Sequence, residues 1–131
     1  MSKKYFLSIL ISHLIVLVSV FFPILNISNT SSSIDYYNIF SYIRKNPSTY
    51  ATVLLIIFIV FELAGVANAV YGLIKKNTNH KHILATFLLG FSSAILGAMY
   101  ISVGSHIFFL ICAISFFAIS YSSIKLMKLE N

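Results

Sequence analysis

The stretch that decides the fold is Ala51-Thr-Val-Leu-Leu-Ile-Ile-Phe-Ile-Val-Phe-Glu62-Leu-Ala-Gly-Val-Ala-Asn-Ala-Val-Tyr-Gly-Leu73. It is long enough, as a helix rising about 1.5 Å per residue, to cross a hydrocarbon core of about 30 Å. Its one charged residue, Glu62, falls near the middle. A carboxyl at that depth costs roughly 2.5–3.5 kcal/mol on insertion scales, so it needs a partner, a proton or a task.

Three more runs of similar length flank it, at about 5–25, 83–103 and 107–126. Continuous apolar runs fit helices and not the alternating pattern of a membrane barrel. The 131 residues are 59% hydrophobic and 9% charged, with a mean hydropathy of +0.93. Soluble domains carry about 25% charged residues, and so short a chain has no interior large enough to hide this much apolar surface. The expected fold is therefore an all-α, polytopic membrane protein, a four-transmembrane-helix bundle in a single domain over 1–131. The first run exceeds the usual core of a signal peptide, and Asn26–Ser33 offers no Ala-x-Ala cleavage site, so it is expected to be retained.

Charge sets the orientation. Lys3, Lys4, Lys75, Lys76, Lys81, Lys125 and Lys128 share one side of a four-span arrangement, and Arg44 and Lys45 lie on the other. By the positive-inside rule both termini and the 75–82 loop are cytoplasmic, in the cell membrane. The net charge of +6 is thus a matter of topology, and no nucleic-acid partner is expected. The lipid bilayer is the first partner. Composition rich in Ile, Phe, Ser, Asn and Lys suggests a bacterial source.

The outer segment 26–48 joins the first two runs. Within it Tyr36, Ile39, Phe40 and Ile43 share one helical face by i, i+3, i+4, i+7 spacing. Ser33 suits an N-cap, and Asn46-Pro47 suits a stop. A short amphipathic helix over about 34–45 is expected on the outer surface.

Small residues recur on the spans at three- or four-residue steps: Gly65, Ala69 and Gly72 beside Glu62, then Gly90, Ser93, Ala94 and Gly97 on the third run. Such stripes let helices approach closely where no hydrophobic drive brings them together. The same spacing serves a packed bundle, a homo-oligomer interface or a serine-lined conduit.

His13 lies about two residues from the centre of the first run, roughly 3 Å in depth from Glu62 at 1.5 Å per residue. A hydrogen-bonded pair of His13 and Glu62 inside the bundle is the expected arrangement. It reads first as helix glue holding two helices in register, and second as a proton- or ion-coupled site. A protonated Glu62 bonded to Asn68, a serine or a backbone carbonyl is the other arrangement open to it.

The pair His80-Lys-His82 falls in the expected cytoplasmic loop, without a cysteine or carboxylate to complete a metal site. Cys112 is the single cysteine and lies in an apolar run. No catalytic constellation, phosphate loop or His-Glu-x-x-His helix is present, and Asp35, Glu62 and Glu130 fall at three different depths. Neither catalysis, a metal nor a cofactor is expected. The four-span small multidrug exporters carry their acid in the first helix, where this chain has only His13, so no family resemblance is drawn. Two functions remain: a non-catalytic subunit that binds another membrane protein (or itself) in an immunity, accessory or regulatory role, or a small oligomeric ion- or proton-coupled transporter or channel using Glu62 and His13.

Overall fold

A computed structural model describes residues 2–21, 25–28, 34–37, 49–75, 79–102 and 106–130. Four helices account for most of them: α1 (Ser2–Phe21), α2 (Thr49–Lys75), α3 (His80–Ser102) and α4 (His106–Glu130). Each contains a window long and apolar enough to cross a membrane.

The helix ends follow local chemistry. The first expected run extended to residue 25, but α1 ends at Phe21. Pro23 has no N–H to give a helix and disfavours helical geometry in the residue before it. α3 begins three residues earlier than expected because Asn79 caps it. The Asn79 side-chain oxygen accepts from the Lys81 N–H at 3.1 Å, and its carbonyl accepts from the Ile83 N–H at 3.0 Å. This satisfies donors that a bare helix start would leave open. His80 and His82 consequently belong to the first turn of α3 and not to a loop.

The outer segment departs from expectation. Residues Ile34–Tyr37 form a strand, β2, paired antiparallel with β1 (Leu25–Ser28) in the register Leu25–Tyr37, Asn26–Tyr36, Ile27–Asp35 and Ser28–Ile34. The expected amphipathic helix over 34–45 is therefore corrected at its start, and Tyr36 sits in a strand. Ile39, Phe40 and Ile43 lie outside the described residues. The physical reason is available in the sequence: Ile and Tyr favour extended backbone, and the Asn-Thr-Ser-rich tract between the strands has the composition of a hairpin connection.

The helices pack in a ring, α1 on α2, α2 on α3, α3 on α4 and α4 back on α1, with α1 and α3 meeting across the diagonal. Two apolar clusters fill the interior. One gathers Phe6 and Ile9 of α1, Ala69 of α2, Ile83 of α3 and Ile119 and Leu126 of α4. The other gathers Val16 and Val20, Leu55 and Phe58, Leu96, and Phe108 and Cys112. Their order reverses from each helix to the next, so consecutive helices run antiparallel. Outward faces are apolar on all four helices, with Phe117 71%, Ile114 67%, Leu88 57% and Val60 56% exposed. A surface of that kind is far larger than the apolar patches that water-soluble monomers leave bare.

Glycines set the spacing. A Cβ on Gly90 would lie 2.7 Å from the Ile119 side chain, and one on Gly97 would lie 2.8 Å from Cys112 Cβ, so α3 and α4 touch through bare backbone. Gly72 receives the Phe6 ring in the same way. Ala69 is fully buried, and Ala94 is half-buried.

Candidate functional site

Between the two apolar clusters lies a thin polar layer. Glu62 stands at the midpoint of α2, and His13 and Ser92 lie within two residues of the midpoints of α1 and α3. Helices of similar length packed side by side bring these positions to one depth. His13, Glu62 and Ser93 are fully buried, and Ser92 nearly so.

The Glu62 carboxyl is engaged at both oxygens. Oε2 lies 2.6 Å from His13 Nδ1. Oε1 lies 2.6 Å from Ser92 Oγ and 2.7 Å from Ser93 Oγ. One side chain of α2 thus bonds to α1 on one side and to α3 on the other. The His13 ring is held against α2 by Gly65, where a Cβ would come within 2.5 Å of the ring. The small-residue edge read beside Glu62 therefore has a specific use: it makes room for the imidazole.

A polar group buried without a partner costs several kcal/mol in apolar surroundings, which is why three polar side chains converge on this one. His13 Nε2, on the far edge of the ring, has no hydrogen-bond partner. On α4 the buried thiol of Cys112 is within electrostatic reach of Glu62.

Asn68 does not turn to Glu62. Its side-chain N–H donates to Thr86 Oγ1 at 2.6 Å, making a second α2–α3 bridge nearer the Lys75 end of α2. Thr86 passes its own proton to the His82 carbonyl at 3.0 Å. The His82 ring packs against Phe6 and Tyr71, with centroids 5.6 and 5.2 Å away. It is a packed side chain, not the loop-surface histidine its position suggested.

Three further buried serines bond to their own helix. Ser12, Ser19 and Ser123 each donate to the carbonyl four residues earlier, at 2.8, 2.7 and 2.8 Å. A hydroxyl bonded to its own helix has its proton satisfied without a second helix. Among the described residues no three His, Cys, Asp or Glu side chains converge on a point that would hold a metal ion.

Ser92 is the site residue that the sequence reading passed over. It lies off the Gly90–Ser93–Gly97 stripe by which the small residues of α3 were sorted. Depth was the signal that would have found it, since Ser92-Ser93 is a polar doublet at the level of Glu62.

No protein-family model, curated protein or solved structure matches this chain.

Proposed function

We propose that the protein is a non-catalytic integral membrane protein that acts by binding another membrane protein, as an immunity, accessory or regulatory subunit. The observation that carries this reading is the state of Glu62: the one acid within a span is fully buried, and both of its oxygens are taken by side chains of its own bundle. A group held in this way by three side chains of two other helices fixes three helices in register, the best-attested use of a buried polar cluster. Interaction with the outside then falls to the surface, which is apolar on every helix. On this reading the bundle crosses the cell membrane four times, with its termini and the segment joining α2 to α3 on the cytoplasmic side, as the lysine distribution favours.

That surface includes an aromatic run on α3 and α4. Phe87, Phe91, Phe116 and Phe117 follow one another at centroid distances of 5.3, 5.1 and 6.2 Å. A photo-reactive residue at Phe117 tests the reading in native membranes. A discrete adduct to a second integral membrane protein is expected, together with no ion or proton flux from the purified chain in liposomes. Flux that vanishes with Glu62→Gln, and no adduct, contradicts it.

A second reading, a small oligomeric proton- or ion-coupled transporter, draws on His13 Nε2. That atom is buried without a partner, so the imidazole has one site unused by the packing of the layer. The same liposome assay decides between the two.

A further inference from the structure

The positions of the protons around Glu62 follow from counting donors. Ser92 Oγ makes two contacts of hydrogen-bond length, 2.6 Å to Glu62 Oε1 and 2.7 Å to the Leu89 carbonyl oxygen. A hydroxyl has one proton and can accept at its lone pairs. The Leu89 carbonyl can only accept, so the Ser92 proton goes there. The contact to Oε1 then requires a proton on Oε1. An ionised carboxylate would set two acceptors against a single hydroxyl proton, at distances too short for two acceptors to face each other unbridged.

The other partners agree. Ser93 Oγ, 2.7 Å from Oε1, is free to donate to it. His13 Nδ1 lies 2.6 Å from Oε2, while Nε2 faces Gly65 with no partner. An imidazolium would bury an N–H at Nε2 with nothing to accept it. A neutral ring with its proton on Nδ1 donates to Oε2 and leaves only a lone pair unpaired. The titratable groups that face Glu62 among the described residues are His13 from α1 and the Cys112 thiol from α4; α3 contributes only the two serines.

We propose that Glu62 is held as a neutral carboxylic acid that donates to Ser92, beside a neutral His13 that donates from Nδ1. The layer is then a proton-binding site in which the bound proton completes the chain Glu62–Ser92–Leu89 and ties α2 to α3. Loss of that proton leaves Ser92 with one hydrogen and two acceptors. It must release either Glu62 or the Leu89 carbonyl, so the α2–α3 junction loosens when the proton leaves.

Glutamate occurs only at positions 62 and 130, which makes the test direct. The full chain is labelled with 13C at the glutamate side-chain carboxyl, placed in lipid bilayers at neutral pH and observed by solid-state NMR. Glu130→Gln removes the tail signal and assigns the other. The expected result is one resonance at the chemical shift of a protonated carboxyl, from Glu62, and one at that of a carboxylate, from Glu130. A Glu62 resonance at the carboxylate position overturns the proposal.

Discussion

The polar layer and the α3–α4 seam hold the same bundle together by different means. At the seam, Gly90 and Gly97 bring backbone against the Ile119 and Cys112 side chains. In the layer, one carboxyl gathers His13, Ser92 and Ser93 from two other helices. Dispersion contacts at the seam are numerous but interchangeable, because a helix slid by one turn would find other apolar neighbours. Hydrogen bonds in the layer are few but position-specific, because a slid helix would leave a buried carboxyl or imidazole unpaired. The seam supplies closeness and the layer supplies register.

Substitutions that separate the two contributions rank as follows. Glu62→Ala strands an imidazole N–H and opens a cavity at mid-depth, and should cost about 3–5 kcal/mol in reversible unfolding from micelles. Gly65→Ala places a Cβ in the His13 ring's place. It should cost about 1–3 kcal/mol, with a displaced His13 ring resonance as the mark that the layer was hit.

Gly97→Ala disturbs the seam instead, at a cost of the same order, about 1–3 kcal/mol. Its signature is chemical: Cys112 is the only cysteine and is fully buried, so thiol labelling in the folded state should quicken while the His13 resonance stays in place. Asn68→Ala removes the single hydrogen bond to Thr86 and should cost only about 0.6 kcal/mol, the average for interhelical bonds in bilayers. A comparably small effect is expected from Glu62→Gln. The amide N–H can donate to Ser92 and its oxygen can accept from His13, so unfolding should shift by less than about 1 kcal/mol.

Much of this arrangement is legible in the sequence, for identifiable reasons. Four apolar runs of near-equal length can fold in few ways once lipid forbids unpaired backbone groups. Equal spans also convert residue number into depth, which places His13 opposite Glu62. What depth does not supply is azimuth. Asn68 and Ser92 lie on α2 and α3 within reach of several neighbours, and only the rotation of each helix decides that Asn68 turns to Thr86 and Ser92 to Glu62.

The outer segment failed for another reason. Ile34-Asp-Tyr-Tyr37 satisfies a helical spacing and a strand composition at once. The choice between them is made by a partner strand, Leu25–Ser28, whose residues pair with others six to twelve positions later, which local periodicity does not contain. His82 reads as a loop residue because the apolar run begins only at Ile83, whereas the Asn79 cap starts α3 ahead of it.

The central claim is that Glu62 and its partners act as one unit that sets the register of α1, α2 and α3. A double-mutant cycle on His13 and Glu62 tests it most directly. Unfolding free energies are measured in micelles for the parent chain, His13→Ala, Glu62→Ala and the double variant. The account predicts a coupling of about 1–2 kcal/mol, because the second removal strands nothing that the first had not already stranded. Additivity within about 0.3–0.5 kcal/mol would mean that the two side chains lie close without depending on each other, and would contradict it.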